Sequence, residues 1–150
     1  MGQSLVKNLV HLIYSTKDRR PLLTPAVRPL LYAYQSGVFK LCDSPAIIVG
    51  GDKEHVHALF LLSKNWKLRD VIEEVKKASS KWIKTQGTEF GDFYWQRGYG
   101  AFSIAESQIE DARKYIENQE THHKTLSFQD EFRLFLKRYE VEYDEKYVWD

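Results

Sequence analysis

Two short groups of residues carry side chains that could do chemistry together. The first is His55-Val56-His57, within an apolar stretch that predicts a β-strand. Alternate side chains of a strand point to the same face, so both imidazoles should project together, as a pair of ligands for a divalent metal ion would. An isolated His-x-His pattern more often marks the solvated end of a strand, so a metal site needs further residues nearby.

The second group is Tyr115-Ile116-Glu117-Asn118-Gln119, within a predicted helix. Residues four apart on a helix lie one above the other, which places Tyr115 and Gln119 on one face. A tyrosine at such a position is by itself more often a packing residue. Near a phosphate held by a metal ion, however, its hydroxyl is a nucleophile that can form a covalent intermediate, while the metal acts as a Lewis acid.

The elements that must position these residues follow from the pattern of apolar side chains. The predicted order is a strand at 9–14, a helix at 24–41, strands at 46–49 and 54–62, a helix at 68–83, a strand at 93–104, and helices at 107–120 and 128–139. Thr24 is expected to cap the first helix, and Ser107 with Glu110 is expected to form a capping box at the third.

This order predicts an α+β fold of the ferredoxin/RRM-like type, with an antiparallel β-α-β-β-α-β sheet. Its helices should lie on one face, and a C-terminal helical extension should carry the tyrosine. The other sheet face should stay open, as a platform for nucleic acid. The chain has no internal repeat, low-complexity tract or linker, so one domain is expected over 1–150.

The composition, with 43% hydrophobic and 29% charged residues, is typical of a folded soluble protein. No apolar run approaches the roughly 18 residues that a membrane-spanning helix needs, and the N-terminus lacks the regions of a signal peptide. Cys42 is the only cysteine, which excludes an intramolecular disulfide. These features favour a reducing, cytoplasmic setting without a membrane partner.

Charge is unevenly distributed along the chain, although the net charge is only +1. Residues 1–100 contain 15 Lys and Arg against 9 Asp and Glu, whereas residues 101–150 contain 7 against 12. A basic body of this kind permits a phosphate-facing surface, and it is equally compatible with a chance segregation of surface charge.

Two segments contain candidate DNA contacts. Lys17, Arg19 and Arg20 form a basic loop that could hold phosphates or could simply be solvated. Further along, Arg97 could supply a cation and Trp95 a stacking surface for unpaired bases. Trp95 and Tyr99 would face the same side of a regular strand, so a packed aromatic pair is the competing interpretation.

Several motifs occur in order along nearly the whole chain. They are His11-Leu12-Ile13-Tyr14-Ser15-Thr16-Lys17 followed by Arg19-Arg20, Glu54-His55-Val56-His57, Trp95-Gln96-Arg97-Gly98-Tyr99-Gly100-Ala101-Phe102-Ser103, Tyr115-Ile116-Glu117-Asn118-Gln119 with His122-His123, and Tyr143-Asp144-Glu145-Lys146-Tyr147-Val148-Trp149. In this order and spacing the chain resembles the IS200/IS605-like single-tyrosine transposases of the HUH superfamily, including their REP-associated relatives.

This resemblance implies a role for each candidate residue. Tyr115 would be the nucleophile that forms a 5′-phosphotyrosine and frees a 3′-hydroxyl. His55 and His57 would hold Mg²⁺ or Mn²⁺ with Gln119 as a third ligand, although two histidines alone would also suit zinc. The resemblance further implies single-stranded DNA hairpins as substrates, no nucleotide cofactor, and a homodimer in which one subunit's tyrosine helix can complete the other's site.

Two other functions stay open at this point. A non-catalytic module that binds single-stranded nucleic acid would use the same sheet, but it would need neither the histidine pair nor Tyr115 and Gln119. A domesticated REP-associated transposase that acts on repeated hairpins of its host would keep the chemistry and differ only in its genomic context.

Overall fold

Four β-strands form the centre of the protein, of which the computed structural model describes residues 2–150. The strands are β1 (Leu9–Ser15), β2 (Ala46–Gly51), β3 (His55–Leu61) and β4 (Gly100–Ser103). Every neighbouring pair is antiparallel, and the order across the sheet is β2-β3-β1-β4. The predicted α+β fold with a ferredoxin-like antiparallel sheet is confirmed.

Five α-helices accompany the sheet within residues 2–150. They are α1 (Val27–Leu41), α2 (Leu68–Ile83), α3 (Ile109–Glu117), α4 (Gln119–His122) and α5 (Phe128–Arg138). As predicted, α1 joins β1 to β2 and α2 joins β3 to β4. Two helices are predicted after the last strand, whereas three follow it, because the first is interrupted at Asn118. None of these helices combines the length and the apolar character that crossing a membrane requires.

The face of the sheet that α1 and α2 cover, here called the first face, is almost wholly apolar. Leu12 and Tyr14 of β1 and Val56 and Phe60 of β3 point to it and are fully buried. Phe39 of α1 packs on Phe60 with 4.7 Å between the ring centroids. Strand alternation explains the arrangement, since even-numbered residues of both strands share this face. Burial stabilises the fold by about 1.5–3 kcal/mol for each such Leu, Val or Phe side chain.

The opposite face, here called the second face, is covered by α3 and α5. The odd-numbered residues of β1 and β3 point to it, among them His11, Ile13 and the two histidines of β3. Ile13 lies in an apolar cluster with Phe102 of β4 and the phenylalanines of α5. The prediction of an open sheet face is therefore wrong. The apolar stripe of α5 needs a surface to cover, and this face supplies it.

Two glycines allow the C-terminal helices to lie directly on the second face. A Cβ atom at Gly50 of β2 would lie 2.8 Å from the carbonyl oxygen and 2.9 Å from the Cγ2 atom of Ile116 in α3. A Cβ atom at Gly100 of β4 would lie 2.5 Å from the Phe132 ring of α5. Any side chain at these two positions would push a helix away from the sheet, which is why glycine occupies both.

The fourth strand is shorter than predicted. It covers only Gly100–Ser103 rather than 93–104. The Lys76 ammonium of α2 explains the difference, because it contacts the three successive carbonyl oxygens of residues 96–98 at distances of 2.6, 3.1 and 3.0 Å. Those carbonyls point towards α2 and are not available to a β-ladder.

Two helix starts also differ from prediction. Helix α1 begins at Val27, and Thr24 precedes it in a turn, where its hydroxyl accepts a hydrogen bond from the Val27 N–H at 3.4 Å. The capping box predicted to begin at Ser107 does not form. The Gln108 side chain instead accepts a hydrogen bond from the Ala105 N–H at 2.9 Å, which starts the chain turning before α3.

Candidate metal and nucleophile site

The two histidines of β3 are fully buried on the second face, with 5.2 Å between their ring centroids. Each ring has its Nδ1 atom engaged. That of His55 lies 2.6 Å from Glu54 Oε1, and that of His57 lies 2.8 Å from His11 Nε2. These contacts orient the rings so that both Nε2 atoms face a common space. Partners of this kind on the outer nitrogen are typical of histidines that bind metal ions.

A carboxylate from α5 completes this space. Glu131 is 1% exposed, and its Oε1 atom lies 2.9 Å from His57 Nε2 and 3.6 Å from His55 Nε2. The three side chains offer ligand atoms that all lie within 4.8 Å of one another. Two imidazoles and a carboxylate at this spacing fit a divalent metal ion.

Gln119 of α4 lies beside the same group and is fully buried. Its Oε1 atom is 2.8 Å from His55 Nε2 and 3.0 Å from His123 Nε2, and its amide nitrogen donates to Glu131 Oε2 at 3.1 Å. His123 also lies 3.1 Å from Glu131 Oε1. The Gln119 oxygen is therefore close enough to His55 to serve as a further ligand atom.

Tyr115 of α3 reaches these side chains within the same chain. Its hydroxyl donates a hydrogen bond to Glu131 Oε2, and its ring centroid lies 5.8 Å from that of His57. The His122 ring stacks on it at a centroid distance of 4.7 Å. The helix is interrupted at Asn118, so the tyrosine lies on α3 while the following turn forms α4.

The site is a buried network of carboxylate and imidazole groups. Burial alone would raise the pKa of Glu131, but His57 and His123 hold that pKa far below its ordinary value. Burial lowers the pKa of His57 and of His11, which favours the neutral form of both rings. For His123, the opposing effect of burial is outweighed by Glu131, which raises its pKa. An ionised carboxylate enclosed by these rings favours a bound cation.

The same surroundings keep the phenol of Tyr115 protonated. Burial raises its pKa, and the adjacent Glu131 carboxylate raises it further through its charge and its hydrogen bond. In the resting protein the Tyr115 hydroxyl is thus a protonated nucleophile, and Glu131 is its hydrogen-bond acceptor.

The predicted DNA contacts lie at the end of the sheet next to the histidine pair. Lys17 and Arg97 line one groove of about 450 Å³, and both side chains are exposed. Arg20 is also exposed, whereas Arg19 lies over the Trp149 ring with 5.5 Å from its guanidinium carbon to the ring centroid. The structure thus brings the basic loop and Arg97 together on one surface.

Trp95 is buried, unlike a residue that stacks on unpaired bases. Its side chain is 8% exposed, and its indole N–H donates to Ser79 at 3.1 Å. Its ring packs edge-on against Tyr14 and Phe93, at centroid distances of 4.9 and 4.7 Å. The geometry supports the packing interpretation and leaves no ring face open to a base. The partner is not Tyr99, because this segment is not a regular strand.

Three contributors to the site were missed from the sequence: Glu131, Glu54 and His11. Glu131 carried a usable signal, since it lies three residues after Phe128 and four before Phe135, on the apolar stripe of α5. A carboxylate on a buried stripe needs a partner. His11 gave a weaker signal, because its approach to the histidine pair depends on strand register, which no local pattern specifies.

The sequence model described as "Transposase IS200 like" matches residues 4–119. A solved protein from Deinococcus radiodurans R1, described as a transposase, has a TM-score of 0.62 and 22% identity, over 79% of this chain and 96% of that chain. A REP-associated tyrosine transposase bound to a REP hairpin has a TM-score of 0.61 and 15% identity, over 84% of this chain and 74% of that chain. At these identities the two likenesses show the fold. No curated protein matches the chain in sequence. The family match spans well over half of the sequence and confirms the resemblance, so the chain belongs to the IS200-like transposase family.

Proposed function

We propose that the protein is a DNA strand-transferase that cuts single-stranded DNA through a covalent bond to Tyr115. The observation that carries the proposal is the convergence of the Tyr115 hydroxyl, both histidines of β3 and Gln119 on one buried carboxylate, Glu131. Membership of a transposase family supports a DNA-processing enzyme. A module that only binds nucleic acid would have no use for a tyrosine hydroxyl placed against potential metal ligands.

A divalent metal ion would be held by His55, His57 and Glu131, with the Gln119 oxygen as a further ligand. Bound there, it would act as a Lewis acid that neutralises charge on the attacked phosphate. Imidazole alone suits zinc as well, whereas carboxylate and amide oxygens suit Mg²⁺ and Mn²⁺. We therefore propose Mg²⁺ or Mn²⁺, with Glu131 added to the ligands predicted from the sequence.

The covalent step would be carried by the protein's own groups. The Tyr115 oxygen bonds to the phosphorus while the bond from phosphorus to the 3′-oxygen breaks, which leaves a 5′-phosphotyrosine and a free 3′-hydroxyl. The phenolic proton leaves along the hydrogen bond towards Glu131 and passes to solvent, from which the departing 3′-oxygen takes up a proton. Attack of a 3′-hydroxyl on the phosphotyrosine reverses these bond changes and joins strands. The energy of the broken bond is kept, so no nucleotide cofactor is needed.

A single-stranded DNA hairpin is the proposed substrate. The groove lined by Lys17 and Arg97, together with the exposed Arg20, lies beside the site and can hold phosphates without reading sequence. Arg19, held over Trp149, would add a fourth cation. Of the similar structures, the REP-associated tyrosine transposase is bound to a REP hairpin, which supports the same class of substrate for this chain.

A cytoplasmic homodimer is proposed on the basis of the family alone. Within one chain Tyr115 already reaches Glu131, so a tyrosine supplied by a partner subunit would replace this arrangement. Mixing Tyr115→Phe with His57→Ala protein distinguishes the two arrangements. Activity recovered in the mixture would mean that the tyrosine of one subunit acts at the histidines of the other.

The proposed chemistry is tested by a gel assay for a covalent protein–DNA adduct. Wild-type protein, incubated with a library of single-stranded hairpin oligonucleotides, should form an adduct that requires Mg²⁺ or Mn²⁺. Tyr115→Phe should abolish the adduct but leave hairpin binding almost unchanged, whereas His57→Ala should abolish it together with metal binding. Tyr147→Phe, at an exposed tyrosine, is the matched control and should react as the wild type does.

The opposite result would be equally informative. Tight hairpin binding by a folded wild-type protein, without an adduct to any oligonucleotide in the library, would contradict the proposal. It would favour a non-catalytic module that binds single-stranded nucleic acid.

A further inference from the structure

A cavity of about 420 Å³ opens beside Tyr115, on the second face of the sheet. Tyr115 and Glu131 both line it, whereas His55 and His57 do not. The cavity is therefore a space next to the nucleophile that adjoins the candidate metal position at Glu131. Its volume lies within the range of about 300–1,000 Å³ that is common for small-molecule binding sites.

The walls of this cavity are mainly apolar. They include the rings of Phe135 and Tyr139 and the side chains of Ile104, Ala112 and Leu134. The two rings are nearly parallel, with an interplanar angle of 6° and 6.5 Å between their centroids. Walls of this kind suit a flat ring that can stack on an aromatic side chain.

Besides Tyr115 and Glu131, four polar side chains line the cavity: His11, which already contacts His57, and Gln108, Asp111 and Arg138. The Gln108 oxygen already accepts a hydrogen bond from the Ala105 N–H, which leaves its amide hydrogens as donors. The salt bridges found within residues 2–150 involve neither Asp111 nor Arg138. One carboxylate acceptor and two kinds of N–H donor match the mixed donors and acceptors on the edge of a nucleobase.

We propose that this cavity binds the base of a nucleotide adjacent to the phosphate that Tyr115 attacks. The inference rests on the proposed function, because a phosphate at Tyr115 brings the neighbouring nucleotides to the cavity. A base turned out of the single strand would stack on the half-buried Tyr139, since Phe135 is 9% exposed and the Arg138 guanidinium lies over its ring. The edge of the base would meet Asp111 and Arg138. This contact would select the cleavage position by base, which contacts to phosphates alone do not do.

The first experiment removes single bases from a cleavable hairpin. Once an oligonucleotide that forms the adduct is identified, each nucleotide within three positions of the cut phosphate is replaced in turn by an abasic site. One replacement should slow adduct formation by about 10-fold or more, as expected for the loss of one stacked base, and the others should have smaller effects. Equal rates for all abasic substrates would overturn the inference.

The second experiment changes the protein. Ala112→Leu should fill part of the cavity from α3, and Arg138→Ala should remove a polar contact from an exposed position that does not endanger folding. Each variant should slow the reaction of the intact hairpin but add no further loss with the sensitive abasic substrate. Arg113→Ala, on the exposed surface of α3 outside the cavity, is the matched control. If each variant slowed the abasic substrate by the same factor as it slows the intact hairpin, the base would bind elsewhere.

A binding readout separates this inference from the proposed function. Tyr115→Phe protein is titrated into a hairpin that carries 2-aminopurine at the sensitive position, and its fluorescence should change on binding, less so when Ala112→Leu is also present. An adduct that is indifferent to every abasic site overturns the base pocket alone. No adduct with any intact hairpin overturns the proposed function and the base pocket with it.

Discussion

The two faces of the central sheet are built from the same strands, but only the second face carries the histidines beside its apolar side chains. Along β1 and β3, Leu12 and Val56 point to the first face, whereas His11 and His57 point to the second. One alternation thus places the residues that can do chemistry on the second face, where they lie beside the apolar cluster of Ile13, Phe102 and the phenylalanines of α5. The comparison predicts that changes on the first face affect stability, and changes on the second face affect metal binding and reaction.

The faces also differ in how their polar groups are enclosed. On the first face a short chain of hydrogen bonds links Tyr14, Gln35 and Ser79, and it ends on the buried indole of Trp95. On the second face the polar network adjoins a cavity of about 420 Å³ through Tyr115 and Glu131. A closed polar chain can only stabilise the fold, whereas a network beside a cavity can act on a ligand.

The largest effect is expected from truncating a core ring of the first face. Phe60→Ala should lower the free energy of unfolding by about 3–5 kcal/mol, because it removes a fully buried ring that packs on Phe39. Urea unfolding measures this loss, with Leu41→Ala at an exposed position as the control. The folded fraction of Phe60→Ala should bind Mn²⁺ as the wild type does. A large loss of affinity there would break the separation between the faces.

A smaller effect on binding energy is expected on the second face. His11→Phe keeps a ring against Phe135 but removes the nitrogen that contacts His57 Nδ1, so His57 loses its orienting partner. Mn²⁺ affinity, measured by titration calorimetry, should fall by about 10- to 100-fold. His122→Phe keeps the stacking on Tyr115 and should leave the affinity unchanged. Unchanged affinity in His11→Phe would mean that His57 needs no such partner.

The stability of the metal-free protein should decline in acid because of the second face. Burial lowers the folded-state pKa of His57 and His11, so the unfolded chain binds more protons as the pH falls through about 6.5. The raised pKa of His123 acts in the opposite direction, and two lowered groups should outweigh one raised group. Urea unfolding between pH 8 and pH 5 checks the sign, and His123→Gln should steepen the decline.

Both faces should respond at the alkaline end. Burial raises the folded-state pKa of Tyr14 on the first face and of Tyr115 on the second, so the unfolded chain loses protons first and stability falls as the pH rises through about 10. A protein whose stability is independent of pH between 8 and 5 would contradict the assignment of neutral, buried rings to the second face.

The smallest effect is expected at the edge that both faces share. Arg97→Ala should weaken hairpin binding about equally for all sequences and reduce the dependence of the binding constant on salt by about one unit of log–log slope. Fluorescence anisotropy at several salt concentrations measures this, with Arg113→Ala as the control. An unchanged slope would mean that Arg97 does not contact DNA phosphates. Contacts with DNA would then be expected on the second face alone.

Much of the fold could be predicted because its signals are local. Apolar alternation in β1 and β3 and the apolar stripe of α2 specify element type and facing, and the order of elements then leaves few topologies. The predicted strand at 93–104 begins too early, because the start of β4 depends on a contact from the Lys76 ammonium of a distant helix. Local patterns do not show where the C-terminal helices pack, so the sequence does not predict that α3 and α5 cover the second face.

The two motifs of the site could be predicted from the sequence, but the distant residues that contact them could not. The histidine pair of β3 and the Tyr115–Gln119 face each follow from one period of one element. Glu131 joins them across 12 residues from Gln119, and His11 joins them across 46 residues from His57. Contacts of that separation depend on register and helix docking, which single-sequence patterns do not contain.

The missing side chain at Gly50 has a consequence for how variants of this protein would be interpreted. Its Cβ would meet the backbone oxygen of Ile116, so no replacement at position 116 can make room for a larger residue at position 50. A substituted Gly50 would shift α3, and with it the hydroxyl of Tyr115, the residue that directly precedes Ile116. In a mutational scan scored by activity, Gly50 would therefore rank among the catalytic positions, although it has no side chain to take part in the reaction.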